Sequence, residues 1–265
     1  MNIKNTTCFL VDATGVLYND EGPIPGIQKT IQNLQKQGLV IVVTNNSSYY
    51  LTYIAKRLQD YEIPIPQSHI ISSGQGLQKD PEIQPLITHK KCYIYGGPNS
   101  YPYIEDAGGQ PTENIKNAAC IVLTSSLKEN NQAIYNQVKN HLLKNPLLPV
   151  ICCNPDTHVV GKNNTLIPVI GYYAKKLEED CKRNFIWIGK PYPNFATLVK
   201  NHIQATFGYT LSKHTLFFDD NPENCLAFET QLGIQSCLIK QTGLAQLAPW
   251  SNMPHPKLTR DSLAL

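Results

Sequence analysis

The chain lacks the features that mark membrane-spanning and disordered proteins. Its 265 residues contain no apolar run near the roughly 18 to 20 residues needed to cross a bilayer. Charged residues make up only 16% of the chain and hydrophobic residues 42%, a balance typical of folded proteins. The net charge of +3 is small, and no block of Lys or Arg indicates nucleic acid or an anionic membrane as a partner. We therefore expect a globular protein that binds neither.

The cysteine pattern and the N-terminal segment indicate the cellular compartment in which the protein is expected. The eight cysteines include no C-x-x-C pair, and most lie in apolar, strand-like runs. This favours reduced core thiols over a disulfide framework or a zinc site. A metal site built from Cys152, Cys153, Asp156 and His158 is disfavoured because adjacent strand residues face opposite sides. The start, MNIKNTTCFLVDATG, carries an acid in its short apolar stretch, unlike a signal peptide, so we expect a cytoplasmic protein.

Short apolar runs alternate with helical patterns along the chain, which predicts an α/β protein with a parallel sheet and crossover helices. One set of alternating elements runs from TCFLVDA to HIISS, and a second runs from FIWIG to QSCLI. Neither set makes a full sheet alone, and a further α/β unit lies between them. We therefore predict a Rossmann-like, doubly wound parallel sheet core formed by residues 1–74 and 185–265. Residues 75–184 are predicted to form an inserted α/β domain.

Polar side chains follow four of the predicted core strands. Asp12 follows the first, Thr44 ends the second, Lys190 follows FIWIG, and Asp219 and Asp220 follow TLFF. Ligands bind at the carboxyl ends of the strands in open parallel sheets, so these groups are expected to converge. A carboxylate, a hydroxyl, an ammonium group and an acidic pair suit phosphoryl transfer, which depends on positioning and charge neutralisation.

The chemistry of these groups gives each a role. Asp12 is placed to attack phosphorus and form an aspartyl-phosphate, while Mg²⁺ held by Asp12 and Asp220 neutralises the phosphate. Lys190 neutralises both nucleophile and phosphate, and Thr44 with the turn after it would hold phosphate oxygens at a helix start. Taken singly, each feature also suits a turn or a helix cap. The hypothesis depends on all four occurring in order, each directly after a strand.

The four segments resemble, in order, the four motifs of the haloacid-dehalogenase-like (HAD) superfamily of phosphatases. They are FLVDATGVLYNDEGPIPG, VVTNNSS, IGKPYPN and FFDDNPENCLAFETQLGI. Inside the insert, CCNPDTHVVGKNNTLIPVIGYYAKKLEE is similar to the cap segment of subclass IIA, the NagD-like and pyridoxal-phosphatase-like group. The resemblance covers nearly the whole chain. It implies that the insert is a large α/β cap of the C2 type.

The resemblance also implies site residues. Asp12 is the nucleophile and a Mg²⁺ ligand, and the backbone carbonyl of Thr14 and the carboxylate of Asp220 complete the protein's share of the metal shell. Asn224 stands where the family often has a further acid, and it is expected to orient metal waters or Lys190.

Phosphate and substrate contacts follow from the same likeness. Phosphate is assigned to Lys190, Thr44, Asn45 and Asn46, and the cap pocket to Asn154, Asp156, His158 and the tyrosines at 172 and 173. The expected substrate is a small phosphorylated metabolite, enclosed when the cap closes over the strand ends. A homodimer through the cap is a further expectation from the resemblance.

Thr14 is the main departure from the family. The phosphatases normally carry a second Asp two residues after the nucleophile, which protonates the leaving group and then activates water. A threonine hydroxyl can do neither near neutral pH, and losing such a group costs on the order of a hundred- to ten-thousand-fold in rate. The interpretation we favour is a Mg²⁺-dependent phosphatase that is slow or restricted to easily expelled leaving groups. A phosphotransferase with a long-lived phosphoenzyme and a silent phosphate- or partner-binding relative stay open as alternatives.

Overall fold

The computed structural model describes residues 5–126 and 131–264, which form two parallel β-sheets flanked by helices. The helices are α1 (Ile27–Gln37), α2 (Leu51–Asp60), α3 (Gly76–Lys79), α4 (Gln84–Ile87), α5 (Tyr101–Asp106), α6 (Asn131–Lys144), α7 (Ile170–Cys181), α8 (Pro193–Phe207) and α9 (Pro222–Leu232). The strands are β1 (Cys8–Val11), β2 (Tyr18–Asn19), β3 (Gly22–Pro23), β4 (Leu39–Thr44), β5 (Ile70–Ser72), β6 (Lys91–Tyr95), β7 (Gln110–Thr112), β8 (Cys120–Leu123), β9 (Val150–Cys152), β10 (His158–Val160), β11 (Leu166–Pro168), β12 (Ile186–Trp187), β13 (Thr215–Asp219), β14 (Gln235–Ile239) and β15 (Leu258–Arg260). The helix predicted over residues 128–144 is described from Asn131 onward.

The first sheet has six parallel strands in the order β15-β14-β13-β1-β4-β5. Its central strands are continuous apolar runs that are buried on both faces, as expected when helices cover a parallel sheet on both sides. In the register of β1, Val11 pairs with Val42 on one side and Phe218 on the other. The residues that follow β1 and those that end β4 and β13 therefore emerge side by side at one edge.

The second sheet has five parallel strands in the order β12-β9-β8-β6-β7. Side chains alternate between its faces: Cys92 and Ile94 of β6 join the large core shared with the first sheet, whereas Tyr93 and Tyr95 face a second cluster. Buried residues of α6 and α7 complete that second cluster. The predicted class, a Rossmann-like parallel sheet with a capping α/β unit, is thus confirmed.

One strand lies in the other sheet from the one predicted. The run FIWIG was assigned to the core sheet, but β12 pairs with β9, with Ile186 opposite Ile151 and Trp187 opposite Cys152. A short apolar strand fits the edge of either parallel sheet, so its composition did not decide between them. The outer edge of the first sheet is instead occupied by β15, whose sequence LTR carries no continuous apolar run. The division at residues 74 and 184 stays a prediction, with β12 on the side of the insert.

Two short antiparallel hairpins, β2–β3 and β10–β11, complete the described strands. All eight cysteines are free thiols, and all except Cys181 are buried, as the sequence predicted. Across residues 5–126 and 131–264, no helix combines the length and the apolar character that crossing a membrane would require.

Candidate active site

A cavity of about 150 Å³ lies between the carboxyl ends of the two sheets. The first sheet and its loops contribute lining residues that include Asp12, Thr14, Thr44, Asn46, Asp220 and Asn224. The segments after β8 and β9 and the hairpin strand β10 contribute Ser125, Ser126, Asn154, Asp156, His158, Val159 and Val160. Buried hydrogen bonds tie the two edges together: Ser47 Oγ, for example, donates to the Thr124 carbonyl at 2.8 Å.

Lys190 is the charged centre of the site. Its Nζ lies 2.6 Å from Asp12 Oδ1 and 2.7 Å from Asp219 Oδ2, and it also donates to the Val43 carbonyl at 3.0 Å. The side chain is only 1% exposed. Burial alone would lower the pKa of Lys190, but the carboxylates of Asp12 and Asp219 raise it above its ordinary value. The ammonium group is therefore held charged, with its three protons directed at three oxygens.

Asp219 serves Lys190 and the turn that follows it. Its Oδ1 accepts the backbone N–H of Asn221 at 2.8 Å and the Asn224 Nδ2 group at 3.2 Å, while Oδ2 accepts from Lys190. Both oxygens are thus engaged, and the residue is fully buried. The sequence placed Asp219 in an acidic pair without a separate role. Its contacts make it the residue that orients the lysine.

Three carboxylates cluster beside Lys190. One carboxylate oxygen from each of Asp12, Asp219 and Asp220 lies within 4.8 Å of the others. Burial raises the pKa of Asp12 to about 7 despite the opposing effect of Lys190, and burial together with Asp219 and Asp12 raises that of Asp220 well above its ordinary value. One ammonium group cannot neutralise three buried carboxylates, so the charge balance favours a bound cation.

The donors present fit a hard divalent cation. Carboxylate oxygens of Asp12 and Asp220 face the cavity, and such a cation prefers a few oxygen ligands supplemented by water. Asn224 Oδ1 is buried and has no hydrogen-bond partner in the described part of the chain, which suits an oxygen that orients a metal-bound water. The Asp220, Asn224 and Asp12 positions were all assigned to metal binding from the sequence.

A loop that the sequence analysis missed encloses Asp220. The backbone N–H of Leu244 donates to Asp220 Oδ2 at 2.6 Å. A Cβ atom added to Gly243 would lie 1.9 Å from that oxygen, and one added to Gly15, whose φ is +87°, would lie 2.5 Å from it. Only glycine allows so close an approach. One signal was present in the sequence: the loop QTGLAQ follows β14 after a single residue, at the same edge of the sheet.

The residues at the end of β4 and in the loop after it have different positions: two line the cavity, and one contacts the backbone of Lys190. Thr44 and Asn46 line the cavity, and Thr44 Oγ1 accepts the backbone N–H of Asn46 at 3.1 Å. The phosphate-binding role of Asn45 stays a prediction, and its side chain is used elsewhere. Its side chain exchanges two hydrogen bonds with the backbone of Lys190, at 2.7 and 3.0 Å, and donates a third to Asp156 Oδ1 at 3.0 Å. Because a side-chain amide matches a peptide unit, Asn45 positions Lys190 and is not among the cavity-lining residues.

The three predicted cap residues, Asn154, Asp156 and His158, all line the cavity. Asn154 Oδ1 accepts the backbone N–H of Asp156 at 2.9 Å, which fixes the turn. His158 lies between the rings of Tyr172 and Trp250, with centroid distances of 5.5 and 5.8 Å. Neither of the tyrosines at 172 and 173 lines the cavity, so their predicted contact with substrate is not supported. Val159 and Val160, from the unpredicted hairpin, do line it.

Thr14 lines the cavity beside Asp12, and its backbone forms an isolated β-bridge with Tyr18. Apart from Asp12 and Asp220, the titratable side chains lining the described cavity are Tyr49, Asp156 and His158. The Asp12 carboxylate, which contacts the buried Lys190 ammonium group, thus shares one partly enclosed space with the other cavity-lining oxygens. This arrangement can hold a tetrahedral anion against Asp12 and neutralise its charge.

Comparison with known proteins gives consistent relatives. The sequence model described as haloacid dehalogenase-like hydrolase matches residues 9–110. The ribonucleotide monophosphatase NagD of Escherichia coli strain K12 is 24% identical over 255 residues, covering 96% of this chain and 94% of the relative. The dihydroxyacetone phosphatase of Corynebacterium glutamicum strain R is 25% identical, covering 88% and 80%. A crystal structure of a HAD-superfamily protein from Cytophaga hutchinsonii aligns with a TM-score of 0.84 at 24% identity, covering 99% and 96%.

The fold and the site together define a capped Rossmann-like α/β protein with an acidic, lysine-centred site at the strand ends. Within that class, residues 9–110 match the haloacid dehalogenase-like hydrolase family, and the chain is similar over nearly its whole length to NagD-like proteins.

Proposed function

We propose that the protein is a Mg²⁺-dependent phosphatase that hydrolyses a small phosphate monoester through an aspartyl-phosphate on Asp12. The observation that carries this proposal is the position of Asp12, whose carboxylate touches Lys190 Nζ at 2.6 Å in the acid cluster with Asp220. A protein that only bound phosphate would gain nothing from a buried carboxylate aimed at the anion, because like charges repel. The phosphatase names of the relatives support the same reaction class.

The residues divide the work of the first step. Asp12 attacks phosphorus in line, the bond to the leaving oxygen breaks, and Lys190 stabilises the charge that builds on the phosphoryl oxygens. The Thr44 hydroxyl, whose oxygen already accepts from Asn46, keeps its proton free to donate to phosphate. Water then attacks the phosphoenzyme, releasing phosphate and restoring the Asp12 carboxylate.

The metal would be held by Asp12, Asp220 and the backbone carbonyl of Thr14, with Asn224 orienting its waters. Bound there, Mg²⁺ supplies the positive charge that lets one anion approach another. Lys190 alone leaves the cluster with excess negative charge, which is why we expect the reaction to depend on the cation.

The test is hydrolysis of p-nitrophenyl phosphate with and without Mg²⁺. We expect turnover that stops on chelation, returns with added Mg²⁺ and is abolished in Asp12→Asn. Asp60→Asn, the same chemical change at an exposed ion pair of α2, is the matched control and should keep full activity. Equal inertness of wild type and Asp12→Asn over a broad panel of phosphate esters would favour the silent alternative. An acid-stable phosphoryl label that leaves Asp12 only when an acceptor is added would favour the phosphotransferase.

A further inference from the structure

The site needs a proton carrier that Thr14 cannot provide. An alkoxide leaving group must gain a proton when its bond to phosphorus breaks, and the water that attacks the phosphoenzyme must lose one. Three cavity-lining side chains remain as candidates in the described chain: Tyr49, Asp156 and His158. Their surroundings differ, and those differences single out one of them.

Asp156 is held in the cavity by two fixed contacts. Its Oδ1 accepts from Asn45 Nδ2 at 3.0 Å, and its backbone N–H donates to Asn154 Oδ1 at 2.9 Å. Among the described residues, Oδ2 makes no hydrogen bond. Because Asn45 is also bonded to both backbone polar groups of Lys190, one amide links the Asp156 carboxyl to the residue that contacts the nucleophile. The carboxyl is therefore positioned relative to Asp12 with a free oxygen available for proton transfer.

Asp156 also borders a second cavity of about 150 Å³. Its wall includes Lys175, Glu223 and Trp250, and it adjoins the first cavity at Asp156 itself. The side chain of Asp156 therefore lies where the two cavities meet.

The charges around Asp156 suit a group that works in both protonation states. Burial raises the pKa of the Asp156 carboxyl to about 6, Lys190 and the Asn45 hydrogen bond oppose the rise, and Asp219 adds to it. Asp12 and Asp220 also interact with it electrostatically. The other charged or titratable residues lining its two cavities are Tyr49, His158, Lys175, Tyr192 and Glu223. Near neutral pH the carboxyl is thus close to the balance point that favours a general acid and base.

The other two candidates are less suited. His158 Nδ1 contacts the neighbouring Thr157 Oγ1 at 3.1 Å, and its ring packs between Trp250 and Tyr172 without a contact to the Lys190 network. Burial lowers the pKa of His158, which weakens it as an acid donor at neutral pH because its charged form is scarce. The Tyr49 ring lies 5.0 Å from the Arg57 guanidinium, on the α2 side of the cavity. Like His158, it therefore lacks, in the described part of the chain, the hydrogen-bonded link to Lys190 that Asp156 has through Asn45.

We propose that Asp156 is the general acid and base of this site, in place of the residue that Thr14 has displaced. The inference rests on the proposed phosphatase function. In the first step the Asp156 carboxyl gives its proton to the leaving oxygen as the bond from phosphorus to that oxygen breaks. In the second step the Asp156 carboxylate takes a proton from the attacking water as the bond between phosphorus and Asp12 breaks. Asp156 ends protonated, and inorganic phosphate leaves.

The test compares two esters of similar size in Asp156→Asn. Asparagine keeps an oxygen that accepts from Asn45, so the contact to the scaffold is preserved while the proton is lost. For benzyl phosphate, whose leaving group is a poor one, we expect kcat/KM to fall on the order of a hundred- to ten-thousand-fold. For p-nitrophenyl phosphate, whose leaving group departs without a proton, formation of the phosphoenzyme should fall less than about tenfold. Thr14→Asp added to Asp156→Asn should restore much of the benzyl phosphate activity.

The outcomes separate this inference from the function on which it rests. An equal loss on both esters in Asp156→Asn, with an unchanged unfolding midpoint, assigns the residue a structural role and overturns the inference alone. Selective loss on benzyl phosphate in His158→Asn, with none in Asp156→Asn, overturns it in favour of the histidine. Wild-type inactivity on both esters with Mg²⁺ overturns the phosphatase proposal, and the role of Asp156 with it.

Discussion

The two parallel sheets direct their carboxyl ends at one cavity but bring different chemistry to it. The six-stranded sheet supplies the carboxylates of Asp12 and Asp220 and the hydroxyl of Thr44. The five-stranded sheet supplies mostly neutral groups, such as Ser125 and Asn154, with Asp156 as the exception. Under the proposed function, the edge of the six-stranded sheet concentrates charge for the phosphate, and the edge of the five-stranded sheet shapes the space for the organic group. Each prediction below tests one side of this contrast.

Removing the buried ammonium group of Lys190 should have the largest effect. In Lys190→Met the carboxylates of Asp12 and Asp219 lose their partner while staying buried, so the free energy of unfolding should fall by about 3 kcal/mol. We expect kcat/KM for p-nitrophenyl phosphate to fall about 10³-fold. Urea unfolding and steady-state kinetics measure the two effects. Lys56→Met, at an exposed helix pair, is the control and should change stability by less than about 0.5 kcal/mol. Similar stability losses in both variants would contradict the charged-edge interpretation.

Added bulk beside Asp220 should weaken Mg²⁺ binding without unfolding the protein. On the unchanged backbone, Gly243→Ala places a Cβ at 1.9 Å from Asp220 Oδ2, so the carboxylate or the loop must move. The Mg²⁺ concentration giving half-maximal activity should rise about 10- to 100-fold. The matched control is Gly97→Ala at the other sheet's edge, where a Cβ meets nothing within 4 Å. An unshifted Mg²⁺ titration in Gly243→Ala would remove Asp220 from the metal site.

Restoring an acid beside the nucleophile should raise activity. Thr14→Asp puts a carboxyl on the cavity wall next to Asp12, and turnover of benzyl phosphate should increase about tenfold or more. The gain should be smaller for p-nitrophenyl phosphate, because its leaving group needs no proton. Thr14→Asn, of equal size without the titratable group, is the control. If Thr14→Asn gives the same gain, the effect comes from shape and not from proton transfer.

The smallest effect is expected on the side of the cavity formed by the five-stranded sheet and the β10–β11 hairpin. Val160→Ala removes apolar surface from the cavity wall, which should raise KM for p-nitrophenyl phosphate about fivefold. The Mg²⁺ dependence should stay unchanged, since no charged group moves. Leu166→Ala alters the residue paired with Val160 across the hairpin and outside the cavity, so its KM should match wild type. A shifted Mg²⁺ requirement in Val160→Ala would show that the two edges do not act separately.

The sequence predicted the cavity residues of the six-stranded sheet better than those of the β10–β11 hairpin, for a physical reason. Asp12, Thr44 and Asp220 follow long apolar runs, so local patterning located both the strands and their ends. Val159 and Val160 lie in a three-residue hairpin strand paired only with its neighbour, and so short a segment carries little periodic signal. The sheet to which β12 belongs depends on which edge is free in the folded chain, and that is a non-local property.

Contacts within the site were harder to predict than the residues themselves. Thr44 and Asn45 are adjacent in a loop typical of phosphate binding, yet one lines the cavity and the other turns to the Lys190 backbone. The Gly243 loop follows a predicted strand, but the close approach of Gly243 to Asp220 is a distance that the sequence does not contain. Spacing identifies which side chains gather at a strand edge, but the direction of each depends on the packing around it.

The pairing of β12 with β9 limits how far this protein can be simplified by engineering. Lys190 follows β12 closely, so the strand leading to the ammonium group is hydrogen-bonded to the cap sheet and not to the six-stranded core. A minimal version made by excising the insert would delete that neighbouring strand and leave the lysine segment without its anchor. We therefore expect that the segment carrying Lys190 and the five-stranded sheet have to be moved together in any transplant.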